Sequence, residues 1–337
     1  MRFLLLALGL LLACAAQAQA AESDAQRMQR LATAAKHEGR VLIYTSMPVE
    51  DMRALTDAFE ARYGIKTAVW RASSEKVVAR IVTEARAGRF DADIVETNGP
   101  DLEALHRERL LQPVRSPAHA DLIAEAMPRS GAWAGTRLSI FVQAFNTRLV
   151  RREDLPRRWE DLLSPQWKGR LAIEIEDADW FSGVAATLGE ARAIALFRDI
   201  VAVNGVSVRK GHSLIAQLVA AGEIPLALTV YNYKAQQLKD QGAPLDWFAI
   251  PPAIAKANGI ALTAKSANPN AALLFYEFAL SREGQQILLG RDYVPTHRLI
   301  DTPLNRMPLK FIDARAVLDD AAHWQRTFSE IFRSGLR

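Results

Sequence analysis

Residues 41–70 read VLIYTSMPVEDMRALTDAFEARYGIKTAVW. Val41-Leu42-Ile43-Tyr44 is a compact apolar run of the kind that makes a parallel strand buried on both faces. Thr45-Ser46-Met47-Pro48 ends it, Met52, Leu55 and Phe59 follow at helical spacing, and Gly64 stops that helix before a second strand over Lys66 to Trp70. The stretch is a strand, helix, strand unit. Beyond it, Ser73 or Ser74 can cap a helix whose Val77, Val78, Ile81, Val82 and Ala85 form one apolar stripe, with Gly88 near its end. Asp93-Ile94-Val95-Glu96 makes a third strand. Thr97-Asn98-Gly99-Pro100 leads into the next helix, with Asn98 as the cap and Pro100 in the first turn, where its missing N–H costs nothing.

Strands and helices alternating at this spacing predict an open, mostly parallel α/β sheet. In such sheets ligands bind beyond the C-terminal ends of the strands. That rule singles out Thr45, Ser46, Ser73, Ser74, Thr97 and Asn98 as candidate ligand-binding residues. Ser23 to Glu38 reads as a polar helical lead-in. Ser139 to Phe145 suits a strand passing into a second α/β unit, with its own strands at Leu171 to Ile175 and Leu226 to Val230. Near Asn258-Gly259-Ile260-Ala261-Leu262 the chain crosses back, ahead of a helix from Pro269 to Leu280. No repeat or low-complexity linker interrupts the pattern. The expected division is a first lobe of residues 21–146 plus 258–296 and a second of residues 147–257 plus 297–337.

Arg2 precedes an unbroken apolar run from Phe3 to Ala13, and small residues end in Ala18-Gln19-Ala20, so residues 1–20 are expected to be a secretory signal peptide. The run is too short to span ~30 Å of hydrocarbon, and no later stretch approaches the roughly 20 apolar residues a membrane helix needs. A soluble periplasmic chain is the expectation. Leu11-Leu12-Ala13-Cys14 also resembles a lipobox, which would make Cys14 a lipid anchor instead. Cys14 is the only cysteine, so cleavage after Ala20 excludes a disulfide framework, a thiolate zinc site and a cysteine nucleophile. The formal charge of +4 becomes +3 without Arg2 and is dispersed among both signs, which is not a nucleic-acid footprint. The chain has no Gly-x-Ser-x-Gly elbow, phosphate-binding P-loop or Gly-x-Gly-x-x-Gly turn, so it is not expected to be an enzyme.

Trp159-Glu160-Asp161-Leu162-Leu163-Ser164-Pro165-Gln166-Trp167-Lys168-Gly169-Arg170 resembles the aromatic-x-Asp-Leu…Pro-x-Trp-Lys-Gly-Arg signature of extracellular solute-binding proteins of the ferric-ion-binding type, family 1. Gly222 to Leu228 ahead of Tyr231-Asn232-Tyr233, and Ala271 to Phe275 followed by Leu280-Ser281-Arg282-Glu283-Gly284-Gln285, are similar to later parts of the same proteins. The resemblance implies a type II periplasmic binding protein with crossover hinge strands between its lobes. It implies a monomer that captures solute in the cleft and delivers it to an ABC permease and its ATPase, with no resident cofactor and ferric ion as the cargo. A small organic solute is the alternative cargo, and a secreted hydrolase a distant one.

Carried over residue by residue, the family site departs here in several places. Met47-Pro48 stands where a histidine is often found, and Thr97-Asn98 where a carboxylate occurs, with Glu96 close by. Of the family's adjacent tyrosine pair, the second matches Tyr233, while the first falls on Asn232, with Tyr231 one residue earlier. The turn that offers small or hydroxyl residues to a synergistic anion reads Glu176-Asp177-Ala178-Asp179-Trp180, whose carboxylates repel an anion. Asp177 and Asp179 are therefore either hard ligands for a metal cation, together with Tyr231 and Tyr233, or acceptors for an organic cation or polyol, or simply helix caps. Tyr231 and Tyr233 alternate onto one face and either coordinate iron or line the hinge. His212 is a cap or a ligand contact, and Trp180, like Trp70 and Trp247, either stacks on solute or packs in the core.

Overall fold

The computed structural model describes residues 23–332. The expected signal peptide and Cys14 lie outside the described residues. The lead-in is α1 (Asp24–Glu38), closed by a reciprocal hydrogen-bonded cap between Ser23 and Gln26. The first unit then runs β1 (Arg40–Thr45), α2 (Val49–Tyr63), β2 (Lys66–Arg71), α3 (Ser74–Arg86), β3 (Ile94–Asn98), α4 (Gly99–Arg107) and β4 (Leu111–Gln112). β1 pairs parallel with β2, from Arg40↔Lys66 to Thr45↔Arg71, and with β3 on its other side. This is the strand, helix, strand unit expected from residues 41–70.

β5 (Ala134–Asn146) leads to the second unit of β6 (Leu171–Glu174), α5 (Ala178–Leu188), α6 (Glu190–Asn204), β7 (Ser207–Arg209), α7 (His212–Ala221), β8 (Leu226–Tyr231), α8 (Asn232–Asp240) and β9 (Leu245–Phe248). β10 (Ala253–Thr263) returns to α9 (Pro269–Leu280), α10 (Arg282–Leu289), β11 (Val294–Pro295), β12 (Leu309–Phe311), α11 (Ala314–Asp319) and α12 (Ala321–Phe332). The strands follow the order β2-β1-β3-β10-β5-β8-β6-β7. β5 and β10 are the crossing strands, and both are longer than the sequence pattern had suggested. They pair antiparallel with each other over Ala134 to Ile140, and β5 then continues against β8 from Phe141↔Tyr231. β10 meanwhile lies antiparallel to β3, Asn258 opposite Asn98. Every residue of both strands is buried, so each polar side chain on them faces another protein group or the cleft between the lobes.

Two cores flank this junction. Val41, Ile43, Phe59, Ile94, Phe275 and Phe278 pack in the first lobe, and Trp167, Trp180, Phe181, Phe197 and Phe332 in the second. The expected placement of all of 297–337 in the second lobe needs correcting. His297 bridges to Leu122, and the N–H of Arg298 donates to the carbonyl of Asp121 at 2.8 Å, both on the first lobe. α11 stays there too, tied by Arg107 to Asp319 at 2.6 Å. Only α12 carries the apolar stripe of Phe328, Ile331 and Phe332 that fills the second core. Among the described residues no helix is long and apolar enough to cross a membrane.

Candidate functional site

The loops after β1, β2 and β3 face the turn after β6, the start of α7 and the end of β8 across a cavity of about 770 Å³. Its floor is Arg137 and Ser139 of β5 with Lys256 and Asn258 of β10. Nine of the sequence candidates line it: Ser46, Ser73, Ser74 and Asn98 from the first lobe, and Asp177, Asp179, His212, Tyr231 and Tyr233 from the second. Three do not. Thr45 is fully buried, donating to Glu96 and accepting the Met47 N–H at 2.9 Å. Thr97 is equally buried and reaches only Ser46, at 3.1 Å. Trp180 packs in the second core against Trp159 and Phe197, because the first turn of α5 points that side chain inward.

The capping roles are also redistributed. Neither Ser73 nor Asn98 caps its helix through its side chain. Ser73 donates to Glu75 at 2.8 Å, and the Asn98 amide to Ser74 at 2.9 Å. Asp177 makes no cap bond either; its Oδ1 meets His212 Nε2 at 3.1 Å. Asp179 divides its two oxygens, Oδ1 accepting the Trp180 N–H at 2.7 Å and Oδ2 taking the Lys256 ammonium.

Lys256 and Arg137 are the site residues that sequence reasoning missed. Each is the lone charged residue of its crossing strand, and such cations are seldom fully buried without a partner. Lys256, 5% exposed, lies 5.0 Å from the ring centre of Phe141 and 5.5 Å from that of Tyr231. Burial alone would lower its pKa, but Asp179, Tyr231 and Asp177 outweigh that and hold it well above the usual lysine range. Arg137 is paired with buried Glu96 and sits over the ring of Tyr293 at 4.9 Å.

The two tyrosine rings are nearly parallel, 17° apart with centres 6.0 Å from each other. Tyr231 stacks on His212 at 3.9 Å, and Tyr233 packs on Tyr293 at 4.2 Å. Burial pushes both phenols up in pKa, against the downward pull of Lys256 on Tyr231 and of Arg137 on Tyr233. Asn232, between the two tyrosines in sequence, accepts the Ile140 N–H at 3.1 Å, which pins α8 to β5.

Glu174, also missed, accepts the N–H groups of Gly211 at 2.9 Å and Glu176 at 2.6 Å. Burial and the charge of Asp177 push its carboxyl up to about 7. For His212, burial pulls the pKa down, but Asp177 and Glu174 override it and raise it. A further wall, with no signal in the sequence pattern, comes from the C-terminal tail through Val317, Leu318, Trp324 and Phe328. Of the charged side chains lining the cavity, Glu75, Asp101, Glu174, Glu176, Asp177 and Asp179 stand against Arg71, Arg137 and Lys256. Six carboxylates to three cations make the cleft attractive to positive charge.

A family model described as bacterial extracellular solute-binding protein matches residues 40–291. The chain belongs to that family. This solute-binding protein is 24% identical over 304 residues to an Fe(3+)-binding periplasmic protein of Serratia marcescens, covering 86% of this chain and 88% of that one. It is 23% identical over 291 residues to the major ferric iron-binding protein of Neisseria meningitidis, covering 82% and 87%. Iron-bound HitA from Pseudomonas aeruginosa superposes with a TM-score of 0.75 at 21% identity, covering 87% of this chain and 99% of that one. AfuA from Actinobacillus pleuropneumoniae, with fructose-6-phosphate bound, gives 0.76 at 21% identity over 88% and 99%. These likenesses establish the two-lobed α/β solute-binding fold.

Proposed function

We propose that this solute-binding protein is the periplasmic receptor of an ABC-type importer, acting as a receptor rather than a catalyst, and that its cargo is ferric iron. The observation that carries the reading is that Tyr231, Tyr233, Asp177 and Asp179 line one cleft whose charged side chains are predominantly carboxylates. Phenolate and carboxylate oxygens suit a hard trivalent cation, and two relatives of matching length are named for ferric iron. Because burial holds both phenols protonated, the ion must displace their protons as it binds. The second lobe supplies all four of these side chains, so a closed arrangement that a permease and its ATPase can recognise is favoured only by added contacts from the first-lobe wall of Ser46, Ser73, Ser74 and Asn98, since only differential affinity shifts such an equilibrium.

A second reading, a small organic solute, is favoured by Lys256. Its ammonium already engages Asp179 beside Tyr231, so one of the four expected ligands is taken and a positive charge stands near the ion. Titration of chelator-stripped protein with ferric nitrilotriacetate separates the two. Ferric cargo gives a visible tyrosinate-to-iron charge-transfer band that is lost in Tyr231→Phe. It also gives an affinity that rises at least about tenfold in Lys256→Met, because a nearby like charge is removed. Absence of the band, with an organic molecule released from gently denatured protein in mass spectrometry, overturns the ferric reading in favour of the second.

A further inference from the structure

Glu174, Asp177 and His212 come, like the tyrosine pair, from the second lobe, and Asp177 is shared with the proposed ferric set. Glu174 ends β6, Asp177 closes the turn that follows, and His212 opens α7. One ligand atom from each lies within 4.8 Å of the others. Glu174 and Asp177 are 3% and 2% exposed, and the His212 side chain 15%.

Asp177 Oδ2 is buried without any hydrogen-bond partner; so is His212 Nδ1, which lies across the ring from the Nε2 facing Asp177 and is not answered by an ion there. A buried carboxylate oxygen left unpaired costs free energy that a cation would recover. The ion pair of His212 with Asp177 answers only one oxygen. Glu174 keeps spare lone pairs after accepting its two backbone N–H bonds.

We propose that these three side chains form a site for a first-row divalent transition cation, preformed on the second lobe. One imidazole and two carboxylates with open positions are the donor set that such ions take, whereas calcium and magnesium prefer all-oxygen sites. The spacing fits. Two ligands each about 2.1 Å from an ion and 3.1 Å from each other, the separation of His212 Nε2 and Asp177 Oδ1, subtend about 95° at it. Ligands on opposite sides of the ion would stand about 4.2 Å apart, close enough to the span of the cluster for small side-chain rotations to close the difference. The two backbone N–H groups that hold the Glu174 carboxylate fix its orientation, as groups behind a metal ligand commonly do.

Calorimetric titration of chelator-stripped protein with zinc chloride tests the site, and cobalt substitution supplies a second readout through its visible absorption. The expected result is uptake of one equivalent, weakened at least about tenfold in both His212→Ala and Glu174→Gln, with no uptake of calcium. Melting curves of the two variants, and of His212→Asn, separate loss of the site from loss of the fold. No uptake of zinc or cobalt, or uptake unaffected by both substitutions in folded protein, overturns the proposal. Its failure is distinguishable from that of the ferric reading, because the charge-transfer band reports the tyrosines while zinc uptake and the cobalt spectrum report His212.

Discussion

Asp101 sits in the first turn of α4, where the tail begins its passage across the cleft. Burial pushes its carboxyl up to about 6, against the pull of Lys256 and with help from Asp179. In the unfolded chain the same group ionises near 4, so between roughly pH 4 and pH 6 the folded state holds a proton that the unfolded state has released. The stability that Asp101 contributes is complete below that window and is lost as pH rises through it. Asp101→Asn removes the effect: urea melts are expected to show equal stability below about pH 4 and a gain of about 1–2 kcal/mol above about pH 7, after allowance for water at a partly open site. Sequence reading located Ser46, Ser73, Ser74 and Asn98 because strand ends mark a cleft, Asp177, Asp179 and both tyrosines through the family resemblance, and His212 as the start of a helix. It passed over Lys256 and Arg137, whose roles depend on which faces of the crossing strands are covered, and Asp101 and Glu174, whose roles depend on burial by neighbouring elements. It also assigned Thr45, Thr97 and Trp180 to the cleft, since strand alternation does not say which side of a loop turns inward.

The crossing strands were legible in outline, as 139–145 and 258–262, but pairing extends them to Ala134–Asn146 and Ala253–Thr263. Apart from Leu138 and Ile254 their extra residues are small or polar, so no apolar run announced them. Gly259 shows why small residues are needed. A Cβ there would fall 2.5 Å from the Ala134 carbonyl and 2.6 Å from the Trp133 ring, beside a shift in register between β10 and β5. Gly259→Ala is expected to destabilise the protein by about 1–3 kcal/mol through overpacking, measured by urea unfolding. Because Asn258 and Lys256 precede it on the same strand, the displaced floor should also weaken cargo binding, whereas a substitution at exposed Lys66, at the end of β2 away from the cleft, should not. β4, β7 and β11, of two or three residues each, carry too little periodicity to be found without their partners.

Taken together, the two lobes are joined by three passages of chain: β5, β10 and the C-terminal tail. α11 lies on the first lobe, and α12 anchors in the second, where Phe332 contacts Phe181 at 6.2 Å and Phe197 at 5.9 Å between ring centres. Phe328, 1% exposed, holds the same helix down. Phe328→Ala is expected to cost about 3–5 kcal/mol as a large buried ring is lost. Because the tail also walls the cleft, the substitution is expected to lower cargo affinity in protein that remains folded, and thermal melts with and without cargo measure both effects. The lobes themselves were legible because each repeats the alternation of strand and helix, but the tail was not, since residues 297–320 carry no stripe that tells one core from the other.

Asp320 is the exposed residue in the short turn between α11 and α12, at the point where the tail leaves one lobe for the other. An environment-sensitive dye attached there would be carried by a segment anchored at both ends, so changes in lobe separation would alter its surroundings directly. The tail thus offers a ready position for converting cargo capture into an optical signal, without touching any side chain inside the cleft.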